Sequence, residues 1–369
     1  MSSVTPFPQH TNSTQIPLLV DWYINPEIYA EEQQLLFAKA PKYVGHQLMV
    51  PNKGDFHALD WMGNAKALVN RNSEISLLSN VCRHRQAIIL KEHGNTKNII
   101  CPLHRWTYDL NGALLGAPRF DKSPCLNLNK TPLKNWQGLL FERPHDIARE
   151  LDSIGCKQYF DFTHYNFDNV IVEHYDFNWK TFIEAYLEDY HVGPFHPGLN
   201  QFVDCNNLHW SFGNNFSVQT VGYQPMPDKH LSQAYKSWQQ AVTQYHGSNL
   251  PKHGAIWFIY YPYLMIEWYP CVLVVSHLIP TSVDTCSNVV EFYYPEDIAL
   301  FEREYVKAQQ AAYIETAVED KEICQRMNDG RKALYAQGIE ESGPYQQPLE
   351  AGLEHFHLWY RRQMQQHLT

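Results

Sequence analysis

The sequence has no long apolar run free of both charge and proline. Its most apolar stretch, from Gly254 to Pro280, carries Pro262, Glu267 and Pro270. Each is costly in a membrane-spanning helix, so the stretch reads as adjacent buried strands. The first residues, MSSVTPFPQHTNSTQIP, have neither the basic start nor the apolar centre of a secretory signal, and the expectation is a cytoplasmic protein with a flexible polar start. Positive charge is also scarce. With 29 Lys+Arg against 39 Asp+Glu the formal net charge is -10, and no basic cluster stands out, which argues against nucleic acid and against a membrane surface as partners. Eight cysteines in 369 residues are too few for a disulfide scaffold. Without an export signal they are expected as reduced thiols, free to bind metal. No GxGxxG or P-loop sequence and no internal repeat is present, so the chain has no nucleotide site of its own.

What remains is a folded, aromatic-rich chain. A hydrophobic fraction of 44% with 18% charged residues fits a globular protein, and 14% aromatics suggests aromatic-lined pockets or interfaces. The length predicts two or three domains. From about Leu36 to Leu140, short apolar runs such as ISLLSN, NIICP and GLLFERP alternate with turn residues, the pattern of an all-β unit. After Pro144 the texture changes. Trp179, Phe182, Ile183, Tyr186 and Tyr190 recur at three- and four-residue steps, which predicts an amphipathic helix from Asn178 to about His191. Strands follow over Ile256 to Val290, then helical spacing from about Pro295 to Tyr335. Strands followed by long helices give an α+β second domain.

Two constellations carry chemistry. In VCRHRQAIILKEHGNTKNIICPLHRW, Cys82 and His84 sit just after one predicted strand, and Cys101 and His104 just after another. A Cys2His2 structural zinc site would accept the same ligand set. Zinc sites, however, usually pair Cys with Cys and His with His. Here each turn donates one of each, the interleaving of a Rieske [2Fe-2S] centre, where two cysteines hold one iron and two histidines the other.

At these residues the chain resembles the α subunits of Rieske non-haem iron oxygenases, with its nearest motifs in the choline, betaine and carnitine monooxygenase branch. CRHRQA is similar to the family's CRHRGA, and CPLHRWTYDLNGALLGAP to its CPYHGWTYDLDG...GAP run. Gln86 and Arg105 stand where the family usually has Gly, and both flank cluster ligands. The resemblance also implies that Trp106 packs beside the cluster loops.

The second constellation is NWKTFIEAYLEDYHVGPFHP, which resembles the family's NWK...ENYxECYHxxxxHP segment. By that resemblance His191 and His196 are ligands of a mononuclear iron. VEDKEICQRMNDG resembles xEDxxIC...QxG, which makes Asp320 the third ligand of a two-histidine, one-carboxylate triad, with Glu319 as the alternative. Glu188 lies three residues before His191 on the expected helix face, as does Glu184 one turn earlier. In the family the acid at the Glu188 position bridges the iron's histidine to a Rieske histidine of a neighbouring subunit. Asp189, one helical step along, is expected to be exposed. Ala185 stands where the branch usually has Asn, so a polar group near the iron is missing.

The resemblance implies three regions: an N-terminal segment at 1–40 packing on the catalytic domain, an all-β Rieske [2Fe-2S] domain at 41–145, and a catalytic iron domain at 146–369. The catalytic domain is expected to lay helices over an antiparallel sheet, START/Bet v1-like. It further implies a terminal oxygenase in a homotrimer, with electrons from NAD(P)H through a separate reductase of flavin or ferredoxin type. The cluster passes them to Fe(II), where O2 meets a small organic substrate. Hydroxylation, dihydroxylation and oxidative demethylation all stay open, as do apolar and quaternary ammonium substrates in a cavity lined from Ile256 to Pro280 and from the loops after His196. The rival readings are a Rieske electron carrier without oxygenase activity and a divergent family member with another role.

Overall fold

The computed structural model describes residues 17–142, 147–151, 154–224 and 232–364, apart from residue 73. The polar start at 1–16 and the texture change at Pro144, with the domain boundary expected beside it, lie outside the described residues.

Strand alternation builds the first half. Lys66–Asn70 sits at the centre of a five-stranded antiparallel sheet ordered His93–Asn95, Asp55–Ala58, Lys66–Asn70, Ile75–Ser79, Lys130–Thr131. Successive side chains leave opposite faces of a strand. Ala67 and Val69 therefore pack with Cys82, Cys101, Trp106 and Tyr108, while Leu68 packs with Val44, Val50 and Leu140. One face of the sheet supports the cysteine–histidine loops and the other turns towards the second half. A small sheet of Ile99–Ile100, Thr107–Tyr108 and Leu114–Gly116 carries the second loop. The halves are bolted together by Tyr43, whose backbone N–H donates to the Tyr263 hydroxyl (2.8 Å) and whose own hydroxyl donates to Glu291 (2.7 Å).

The second half is a seven-stranded antiparallel sheet. Its strands are β1 (Tyr165–Tyr175), β2 (Val203–Phe212), β3 (Phe216–Tyr223), β4 (His253–Tyr260), β5 (Leu264–Tyr269), β6 (Val272–Ser282) and β7 (Thr285–Pro295), in the order β1-β7-β6-β5-β4-β3-β2. The run from Gly254 to Pro280 is apolar on both sides because these strands are covered on both faces. One face receives α3 (Arg303–Ala336), a 34-residue helix, and α2 (Gln233–His246). The fold is therefore α+β, as expected. Among the described residues no helix is long and apolar enough to cross a membrane.

The helix α1 (Trp179–Tyr186) is shorter than the sequence spacing predicts. Asn178 caps it by accepting the N–H of Lys180 (2.9 Å), and it stops at Tyr186 rather than running to His191. The chain leaves the helix at Leu187, and a single helical turn, Val192–Phe195, then separates the two histidines.

A buried carboxylate fixes α1 from behind. Glu32 accepts from the Trp179 indole N–H (2.8 Å), from Lys180 Nζ (2.5 Å) and from the hydroxyl of Tyr360, which lies on α4 (Ala351–Met364). Lys180 and Glu32 are both fully buried. Removing one partner leaves the other as an uncompensated charge, so Glu32→Ala is expected to destabilise the protein by about 3–5 kcal/mol. The double variant Glu32→Gln/Lys180→Met is expected to recover much of that loss. Urea-unfolding midpoints check both, and equal losses in the single and double variants would contradict the assignment.

Candidate metal centres and the cavity between sheet and helix

The two cysteine–histidine loops have the same backbone design. In the first, Cys82 N–H donates to Ala87 O (2.9 Å) and Gln86 N–H to Cys82 O (3.1 Å); in the second, Cys101 N–H donates to Trp106 O (2.9 Å) and Arg105 N–H to Cys101 O (3.1 Å). Both loops turn through a left-handed residue, Gln86 at φ 54° and Arg105 at φ 62°. That conformation is strained for a side chain with a Cβ, which accounts for glycine being the residue usually found there. Both side chains are exposed. Arg105→Gly and Gln86→Gly are each expected to stabilise their loop by about 1 kcal/mol, read as a higher thermal midpoint of the cluster-loaded protein; a lower midpoint would contradict the strain argument.

Within the loops the four side chains form two pairs rather than one tetrad. Cys82 and Cys101 are buried, with the Tyr108 hydroxyl 3.5 Å from Cys82 Sγ. His84 and His104 face each other with their Nδ1 atoms 3.2 Å apart, nearer the surface. Trp106 is buried and stacks on His84 at 4.9 Å and 8°. Among the described residues the one group of three or more ligand atoms within 4.8 Å of one another lies elsewhere. A thiol pair inside and an imidazole pair outside, too far apart to share one ion, suits a binuclear cluster. It does not suit a single tetrahedral zinc.

That other group is His191, His196 and Asp320. His196 Nε2 lies 2.9 Å from His191 Nε2 and 3.0 Å from Asp320 Oδ1. The opposite nitrogen of each imidazole is held by its own carboxylate. Glu188 Oε1 is 2.5 Å from His191 Nδ1, and Glu319 Oε2 is 2.7 Å from His196 Nδ1. A carboxylate on Nδ1 keeps the proton there and leaves Nε2 free to ligate. Glu319 thus points away from the convergent atoms while Asp320 points at them. Burial acts to lower the pKa of His191, but Asp320 and Glu188 outweigh it and hold it at about 10. Burial acts to raise Asp320, and the two histidines outweigh it, bringing it down to about 2. Three carboxylates around two imidazoles make a site whose donors and charge fit a divalent cation of the two-histidine, one-carboxylate type.

The loop after His196 is held close to α2. A Cβ on Gly198 would collide with the ring of Tyr235, so only glycine lets the chain pass. Asp189 departs from expectation. It is 5% exposed and accepts from the Gln219 amide, and burial pushes its carboxyl up to about 7. The helix has already ended at Tyr186, so the rotation that would have turned Asp189 to solvent does not apply. Glu184 is buried against Arg331, His357 and Tyr23.

The three convergent residues border a cavity of about 200 Å³ between the sheet and α3. Only part of its wall is the expected one. Trp257, Glu267 and Tyr269 come from the stretch Ile256 to Pro280, but Glu173 and Asn288 come from β1 and β7, and Tyr313 from α3. Pockets for drug-sized ligands run to roughly 300–1,000 Å³, so a small organic substrate suits this cavity. Ala185 lines it beside the histidines.

Loops built for a binuclear cluster, joined to a helix-over-sheet domain with a carboxylate–histidine triad at its cavity, define a Rieske-type oxygenase. Residues 40–135 match the Rieske [2Fe-2S] domain, and residues 160–366 match the ring hydroxylating alpha subunit (catalytic domain). The chain belongs to this ring-hydroxylating α-subunit family and is the terminal oxygenase of its system, with a Rieske cluster and a mononuclear iron as cofactors. It is 53% identical over 353 residues to putrescine 2-hydroxylase of Ralstonia nicotianae, covering 96% of each chain. It is 49% identical to putrescine 2-hydroxylase of Bordetella bronchiseptica, covering 95% of this chain and 85% of that one. The fold is that of the quaternary ammonium Rieske monooxygenase CntA, with a TM-score of 0.74 at 16% identity over 98% of this chain and 99% of the other. The reading as an electron carrier without oxygenase activity finds no support. As a family member the chain takes electrons from a separate donor and acts on O2 and an organic substrate.

Proposed function

We propose that the chain hydroxylates a small aliphatic diamine of putrescine's kind at an iron held by His191, His196 and Asp320. The electrons come from a [2Fe-2S] cluster held by Cys82, Cys101, His84 and His104. The observation that carries this reading is the convergence of three ligand atoms at the wall of an aromatic-lined cavity. The substrate class follows the two relatives named putrescine 2-hydroxylase, which match almost the whole chain.

Bound there, Fe(II) would supply O2 activation, with two electrons and two protons balancing one oxygen atom into a C–H bond and the other into water. The chain's own residues prepare the site. Glu188 and Glu319 keep the imidazole protons on Nδ1, and the aromatic wall of Trp257, Tyr269 and Tyr313 keeps bulk water from the substrate carbon. Glu188 also serves as the bridge to a Rieske histidine of a neighbouring copy in a homotrimer. In support, the imidazole pair lies near the surface beside exposed Leu103 (55%) and Phe120 (47%), which a neighbour would cover. The donor is a reductase of flavin or ferredoxin type, since no nucleotide motif is readable in this chain. A cytoplasmic site agrees with eight cysteines that form no disulfide. The division into an N-terminal segment to 40, a Rieske domain at 41–145 and a catalytic domain at 146–369 agrees with the packing of Glu32 against α1.

The test is aerobic turnover of 1,4-diaminobutane by the iron-loaded protein with a surrogate reductase. The expected product is a monohydroxylated diamine formed in step with O2 consumption. O2 consumption without any oxygenated amine would overturn the substrate assignment.

A further inference from the structure

We propose that Glu267 is the specificity residue of this oxygenase: its carboxylate binds the ammonium group of the substrate that lies away from the iron. The inference rests on the amine reading above and names the residue that enforces it.

Glu267 is 3% exposed on β5, directly opposite Trp257 of β4 and on the same strand face as Tyr269. It lines the cavity bordered by His191, His196 and Asp320. Its partners are hydroxyls only. Tyr269 donates to Oε2 (2.6 Å) and Tyr313 donates to Oε1 (3.3 Å), while the Trp257 indole N–H donates to the Tyr269 hydroxyl (2.9 Å) and fixes it. Among the described residues no lysine, arginine or histidine pairs with it. The charged group it senses is Asp320, across the cavity and of the same sign. Lys321, the cation on the cavity wall, lies over the ring of Tyr175 instead.

Other buried carboxylates here show what is missing. Glu32 has Lys180, Glu184 has Arg331 and His357, and Glu142 has Lys42 and Lys66. A buried charge is costly unless it is paired, and at Glu267 the space beside the carboxylate is a cavity. Burial pushes its carboxyl up to about 7, with the two tyrosines opposing the rise. A cation entering the cavity would supply the missing partner. A primary ammonium offers three N–H donors to the carboxylate, and the rings of Trp257, Tyr269 and Tyr313 add cation–π attraction. A quaternary ammonium has no N–H to give.

Glu291 provides a control. It too is buried with two tyrosine donors, Tyr43 and Tyr293, but it does not line this cavity.

The experiment compares holoenzymes of the wild type, Glu267→Gln, Glu267→Asp and Glu291→Gln, with iron and sulfide counted in each. It measures kcat and KM for 1,4-diaminobutane and the inhibition constant of the uncharged isostere 1,4-butanediol. In the wild type the diamine is expected to bind on the order of 100-fold tighter than the diol. In Glu267→Gln that preference should collapse to within about threefold, through KM rather than kcat. Glu267→Asp should recover part of it, and Glu291→Gln should keep it. An unchanged KM in a fully loaded Glu267→Gln would overturn the inference and leave the amine reading standing. A wild type that neither turns over nor binds the diamine would overturn the amine reading itself. Should Glu267→Gln fail to hold its metals, the wild-type preference decides, and a ratio below about threefold overturns the inference.

Discussion

His191→Ala is expected to lower the iron content from about three to about two per chain and to reduce hydroxylation to background, while the electron paramagnetic resonance signal of the reduced cluster is kept. The effect is large because His191 supplies one of only three convergent ligand atoms and because its Nδ1 is already committed to Glu188. Asp320→Ala should behave in the same way. Glu319→Gln should be milder, since Glu319 acts on His196 Nδ1 from outside the convergent group; losses of such outer partners run to about 10–100-fold in metal affinity. Metal analysis of the three variants separates the ligand from its neighbour. If Glu319→Gln lost the iron and Asp320→Ala kept it, the third ligand would have to be reassigned.

Cys101→Ser carries the second large effect. Acid-labile sulfide is expected to fall from about two per chain to none and turnover with a reductase to stop, with the mononuclear iron retained. Cys101 is buried on the loop whose backbone closes through Trp106 and Arg105, so its loss removes the inner support of the cluster. Turnover supported by a reductase at wild-type rate without sulfide would contradict the electron route.

The architecture was legible because its signals are local and repeated. Alternation marked the buried strands, and helical spacing marked the long helix that carries Asp320. The four residues proposed to hold the cluster stood out by their interleaving, and the structure adds the physical sense of the two departures, since Gln86 and Arg105 both occupy left-handed positions.

What was not legible depends on where the chain bends. The sequence spacing extends α1 to His191, which misplaces Asp189 on the outside. The helix instead ends at Tyr186, with Leu187 already out of helical geometry. The part of Glu319 was hidden for a different reason. Neighbours on a helix differ by about 100° in direction, and only the position of His196 decides which acid faces the metal side. Glu267 did leave a signal. A single carboxylate within the most apolar stretch counts against a membrane helix, but the same cost of burying it also marks a place where a cation is wanted.

The account is tested most directly by supplying the reduced, iron-loaded protein with 1,4-diaminobutane and isotopically labelled dioxygen in a single turnover, then weighing the amine product. The account predicts a hydroxylated diamine carrying one labelled oxygen atom per molecule, with the cluster oxidised in step. Oxidation of the cluster with no labelled oxygen in the amine would contradict it.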